Sequence, residues 1–127
     1  MKSKLNSVNE FHKAFKVGDA PKEPTLIPFK EEAKLRYKLM DEENLEYLEA
    51  CADNDLVEIA DALGDQLYIL CGTILKHGMQ YKIEQVFNEI HRSNMSKLDL
   101  NGQPIFRSDG KFLKGKDYFK PDFTKIL

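Results

Sequence analysis

Between Glu42 and Asp65 the chain contains no basic residue; the stretch reads EENLEYLEACADNDLVEIADALGD. A solvated helix face alternates its acids with Lys and Arg, so this absence argues against an ordinary charged surface. Cysteine is scarce, with only Cys51 and Cys71. Both fall within predicted helices and read as reduced thiols, not a disulfide, which fits a cytoplasmic protein. No Cys or His stands at the spacing a Zn²⁺ site requires. The opening MKSKLNSVNE lacks the apolar core of a signal peptide. The longest uncharged run, Gln66 to Leu75, is too short to span a bilayer. A large excess of either charge is also missing: 19 basic residues face 21 acidic ones, for a net charge of -2. That balance gives no sign of a general nucleic-acid binder. There is no internal repeat and no low-complexity segment.

What is present is a segregation of charge. Acids crowd residues 41–65 and basic residues crowd 91–125, a division that suits a metal site facing an anion site. At 127 residues the expectation is one domain over 1–127. It comprises a short helix and extended arm over 1–28, a helical body, and an irregular tail over 98–127.

Ser7-Val-Asn-Glu10 has the capping-box pattern, which predicts a short helix starting at Ser7 and ending at Gly18. Val8, Phe11 and Phe15 share one of its faces. Pro21, Pro24 and Pro28 make residues 19–28 an extended connector. Leu26 and Ile27 would want cover, so the connector is expected to wrap the domain. A long helix then runs from about Phe29 to Ala52. At about 100° per residue, Leu35, Leu39, Glu42 and Glu46 fall within about 40° of one another, giving an inward stripe that begins with leucines and continues with carboxylates.

Asp53-Asn-Asp55 breaks this helix and caps the next. The second helix spans about Leu56 to Lys76. Leu56, Ile59, Leu63, Leu67, Leu70 and Ile74 form its main apolar face, and Glu58, Asp61 and Asp65 lie on the other side. The short connection predicts antiparallel packing. A helix apolar on two sides is central, or lies at a subunit interface. His77-Gly78 ends it, and 3,4 spacing from Met79 predicts a third helix to about Ser93. Asp109-Gly110 marks a small hairpin between Ile105–Arg107 and Lys111–Leu113.

Residues three apart on a helix share a face. Glu43 with Glu46, and Glu58 with Asp61, are two such pairs on adjacent helices, with Glu42 beside the first. Four carboxylates converging from opposite sides suit a hard divalent cation such as Mg²⁺. The bland alternatives are a wet helix surface for Glu42 and Glu43, a cap for Glu58, and ion pairs for Asp61 and Asp65. In the basic half, Asp109-Gly-Lys111 and Leu113-Lys-Gly115 can offer backbone N–H groups and ammonium charge to phosphate.

Glu42-Glu43-x-x-Glu46 followed by Glu58-x-x-Asp61, with Arg36 before and Asp65 after, resembles the signature of the all-α nucleoside triphosphate pyrophosphohydrolases. That superfamily includes MazG proteins, dimeric dUTPases and phosphoribosyl-ATP pyrophosphohydrolase. Glu10-Phe-His-x-Ala-Phe15, the block Phe87–Lys97, Asp109-Gly-Lys111 and Lys114 resemble the last branch in particular. The resemblance implies an all-α antiparallel bundle that converts an NTP or dNTP to monophosphate and pyrophosphate with Mg²⁺, for which Mn²⁺ can substitute. It implies metal ligation by Glu43, Glu46, Glu58 and Asp61, and a proton-accepting role for Glu42 or Glu43. Arg92, Asn94, Lys97, Lys111 and Lys114 become candidates for phosphate and sugar contacts. A homodimer or homotetramer is expected, with neither membrane nor nucleic acid as partner. The competing expectation is a non-catalytic helical module that binds a metal or a basic partner.

Overall fold

Four helices carry the chain in the computed structural model, which describes all 127 residues. They are α1 (Lys2–Ala14), α2 (Lys34–Ala52), α3 (Leu56–Lys76) and α4 (Ile83–Met95), with a single turn of π-helix, Phe29–Ala33, leading into α2. There is no sheet, so the fold is all-α. The chain divides into two compact units, Met1–Tyr81 and Lys82–Leu127. No helix is long and apolar enough to cross a membrane.

In the first unit, α3 is central: α1 and α2 both pack on it. Its start is set by Asp55, whose carboxylate accepts the Glu58 N–H at 3.1 Å, a cap that satisfies one of the orphan donors of the first turn. Its end is set by Gly78 at φ +64, where the Gly78 N–H reaches Leu75 O and the Met79 N–H reaches Ile74 O. That paired closure needs a left-handed residue. Asn54, at φ +53, closes α2 in the same way. The intervening turn is therefore tight, and α2 runs antiparallel to α3 as expected.

Several expectations are corrected. The N-terminal helix begins at Lys2, not Ser7. Ser7 lies inside it, its hydroxyl donating to Ser3 O at 3.1 Å instead of capping. The connector is strapped to the end of α3 by Thr25 N–H on His77 O and Gln80 Nε2 on Pro21 O, yet Leu26 remains 91% exposed. Cover for that leucine is not what fixes the strap; hydrogen bonds to its backbone do, and Ile27 is half-buried. The last helix begins at Ile83, because residues 80–82 form turns after the Gly78 closure.

The inward face of α2 is also shifted. Leu35, Glu42 and Glu46 are exposed, whereas Arg36 and Ala50 are buried and Glu43 is half-buried. The stripe facing α3 is Arg36–Glu43–Ala50, one position on from Leu35, with Leu39 half-buried beside it as expected. On α3 the buried set includes Ala62, Cys71, Gly72, Ile74 and Leu75. Leu56, Leu63, Leu67 and Leu70, expected inside, are exposed. Toward the start of α3 the buried position is the small Ala62, while Ile74 and Leu75 are buried near its end. Cys51 and Cys71 are free thiols.

In the second unit the tail lies along α4. Ser93, buried, donates to Phe119 O at 2.9 Å, and Ser96 Oγ accepts the Phe119 N–H at 3.2 Å. The expected hairpin is present in its smallest form, a single antiparallel bridge between Phe106 and Phe112. Arg107 N–H donates to Lys111 O and Leu113 N–H to Ile105 O, both at 2.7 Å. The two phenylalanine rings lie 5.1 Å apart.

Candidate active site

The inward stripe of α2 places Glu43 toward α3, and Glu46 follows three residues on. Asp65 meets them from α3. Carboxylate oxygens of Glu43, Glu46 and Asp65 all lie within 4.8 Å of one another. Like charges that close raise each other's proton affinity, and burial adds to the effect. Glu43 is pushed up to about 7, by burial first, then by a hydrogen bond with Glu46 and the charges of Glu46, Asp65 and Asp61. Asp65 is raised by burial first, then by Asp61 and Glu46.

Oε2 of Glu43 is buried and has no hydrogen-bond partner. A buried acceptor left unpaired costs free energy comparable to a lost hydrogen bond. A cation would satisfy it, as would a water or a proton. Every donor of the cluster is a carboxylate oxygen, the donor type that Mg²⁺ and Mn²⁺ take.

The sequence-derived set and the structural cluster overlap in part. Glu43 and Glu46 belong to both. Asp61 stands close enough to act electrostatically on Glu43 and Asp65 but is outside the group of three. Glu58 is exposed at the capped start of α3 and is also outside it. Glu42 is exposed. Asp65 was not in the expected ligand set. Its signal was its position four residues after Asp61, which puts it on the same helix face one turn farther from the connecting turn.

Beside the cluster, α2 and α3 form a groove of about 350 Å³ lined by Tyr37, Met40, Asp41, Asn44, Gln66 and Leu70. Gln66 Nε2 donates to Asn44 Oδ1 at 3.2 Å across it. Asn44 follows Glu43 and Gln66 follows Asp65, so this amide pair is adjacent in sequence to two of the three clustered acids.

The basic candidates belong to the second unit. Arg92 holds both oxygens of Glu89 at 2.9 Å and lies 4.1 Å over the Phe119 ring. Asn94 and Lys97 line a cleft of about 400 Å³ with Met95, Leu98, Pro104, Ile105, Phe112 and Leu113. Lys111 and Lys114 are exposed, the latter with its ammonium 4.8 Å over Tyr118.

No match was found among curated proteins. One matching crystal structure is of a protein from Exiguobacterium sp. 255-15, provisionally named an NTP pyrophosphohydrolase, at 25% identity and a TM-score of 0.47. The match covers 93% of this chain and 88% of that one. Residues 8–94, from α1 through nearly all of α4, match the family model of phosphoribosyl-ATP pyrophosphohydrolase. The chain therefore belongs to the phosphoribosyl-ATP pyrophosphohydrolase family and is a hydrolase of the pyrophosphohydrolase class.

Proposed function

We propose that the protein hydrolyses the α–β phosphoanhydride of a nucleoside triphosphate, yielding the monophosphate and pyrophosphate, as a house-cleaning or pool-balancing enzyme. The observation that carries this reading is the cluster of Glu43, Glu46 and Asp65 with its unpaired buried oxygen. These three residues would hold Mg²⁺, with Asp61 beside them and Glu58 added by the sequence motif. The ion would neutralise charge on the phosphate oxygens and so favour attack at phosphorus.

The protein's own groups do the rest. Glu42 or Glu43 takes a proton from the attacking water. The water oxygen bonds to the α-phosphorus as the bond to the bridging oxygen breaks, and pyrophosphate leaves. The sequence motif offers Asn94, Lys97, Lys111 and Lys114 of the second unit as candidates for polar and cationic contacts to phosphate and sugar. Arg92 uses Nε and Nη2 on Glu89 and keeps its remaining N–H donors for such a contact. The groove along Tyr37, Asn44 and Gln66 offers an aromatic face and an amide edge to a base. The exposed leucines of α2 and α3 support a homodimer or homotetramer, since apolar helix faces of that extent need cover.

The test is a panel of all NTPs and dNTPs with Mg²⁺, scored for pyrophosphate against orthophosphate. The family's name favours a second substrate, phosphoribosyl-ATP, in which the same bond breaks, so it belongs in the panel. Glu43→Gln and Asp61→Asn should abolish pyrophosphate release in folded protein. Wild-type activity in both would overturn the assignment.

A further inference from the structure

A buried cation lies on the same stripe as the acids. Arg36 is 9% exposed, and its guanidinium makes two hydrogen bonds, both to α3. Nε donates to Thr73 Oγ1 at 3.1 Å and Nη2 to Ile69 O at 2.9 Å. Thr73 Oγ1 in turn donates to Ile69 O at 3.0 Å, closing a three-membered network. The site is shaped for this head group: a Cβ at Gly72 would stand 2.5 Å from Arg36 Nη2 and 3.1 Å from His12 Nε2.

The position of the network is the informative part. Arg36 precedes Glu43 by seven residues, two turns on one face, or about 10 Å along the axis. Ile69 follows Asp65 by four residues, one turn. A planar fork with fixed donor directions locks geometry in a way a flexible apolar contact does not. Sliding or rotating α2 on α3 would break both hydrogen bonds before it separated the carboxylates.

We infer that Arg36 is a positioning residue: it pins α2 to α3 in the register that brings Glu43 and Glu46 against Asp65. The inference rests on the metal-binding reading above, and it has a metal-free consequence. The Gln66–Asn44 contact lies between the network and the turn, so it reports the same register without any ion.

The experiment compares wild type with Arg36→Met, Arg36→Lys, Thr73→Val and Gly72→Ala. Mn²⁺ binding is followed by electron paramagnetic resonance and the register by cross-peaks between the Gln66 side-chain amide and Asn44. Groups that orient metal ligands tune affinity by about 10- to 100-fold. Arg36→Met should therefore weaken Mn²⁺ at least about tenfold and lose the cross-peaks. Arg36→Lys, which keeps the charge without the fork, should recover only part of the loss. Should Arg36→Met fail to fold, Thr73→Val and Gly72→Ala still decide. The first removes one acceptor, and the second displaces the guanidinium while giving α3 a better helix former. Unchanged Mn²⁺ affinity and intact cross-peaks in both would overturn the inference. A wild type that takes no Mn²⁺, with variants that lose the cross-peaks, would end the metal reading and leave the positioning role standing.

Discussion

Glu43 on α2 and Asp65 on α3 bring carboxylate oxygens within 4.8 Å of each other, with Glu46 completing the group. They are 22 positions apart in sequence and sit on opposite arms of one helical hairpin. Their meeting is what distinguishes this acid cluster from a solvated helix surface.

Asp65→Asn tests whether that meeting matters to chemistry. Pyrophosphate release should fall about 100-fold, which corresponds to about 2.7 kcal/mol of lost transition-state stabilisation. Glu58→Gln should cost less, because Glu58 lies outside the group of three. Steady-state rates at saturating Mg²⁺ give the comparison, and a larger loss for Glu58→Gln would favour the ligand set read from sequence over the group of three.

The raised proton affinity of Glu43 makes the metal-free protein sensitive to pH. Folding moves this carboxyl from 4.5 to about 7. Between those values the folded chain keeps a proton that the unfolded chain has lost. Stability is thus highest below pH 4.5 from this group and declines as pH rises through about 7. In buffer with chelator, the Tm of Glu43→Gln minus that of wild type should grow from pH 5 to pH 8. Mg²⁺ should shrink the difference at pH 8 by stabilising wild type. A difference independent of pH would contradict this account.

His12 works in the opposite sense. Burial first, then the charges of Arg36 and Lys76, hold it below its ordinary 6.5. The folded chain keeps the ring neutral while the unfolded chain protonates it. The stability from this group is present above pH 6.5 and is lost as pH falls below it. His12→Gln should flatten the acid side of the thermal-stability profile, measured by circular dichroism melts from pH 7 down to pH 5.

Gly78→Ala should destabilise the first unit by about 2 kcal/mol or more. A Cβ there would clash with Glu23 O, and φ +64 disfavours any side chain. Chemical denaturation should show a lower midpoint with activity per folded molecule retained.

Leu56 and Val57 are 78% and 76% exposed in the single chain. Replacing both with Lys should lower the mass seen by light scattering if they line a subunit interface. An unchanged mass would move the interface elsewhere.

Much of this architecture could be read from the residues. Asn54 marks the end of α2, and Asp55 and His77-Gly78 the limits of α3, through local capping chemistry, which needs no tertiary information. Asp109-Gly110 marks the hairpin for the same reason. The inward phase of α2 was not legible. Hydrophobicity favours Leu35 as a buried position, yet it is exposed while Leu39 is half-buried, and the fold buries Arg36 because Ile69 O and Thr73 Oγ1 await it. That compensation comes from residues more than thirty positions away. Asp65 was missed because pairwise spacing ranks Glu58 with Asp61, while the packing of α2 on α3 selects the acid one turn farther along.

The π-helical turn at Phe29–Ala33 carries a further implication. The Lys34 N–H reaches back to Phe29 O, and Ala33 to Pro28 O, each spanning five residues where an α-turn spans four. Such a turn holds one residue more than regular winding requires. Removing a residue there would tighten the coil and leave everything after Lys34 facing as before. Removing one between Arg36 and Ala50 would swing the downstream acids by about 100°. Length variation in descendants of this chain should therefore collect at the wide turn and avoid the nineteen residues of α2 that follow it.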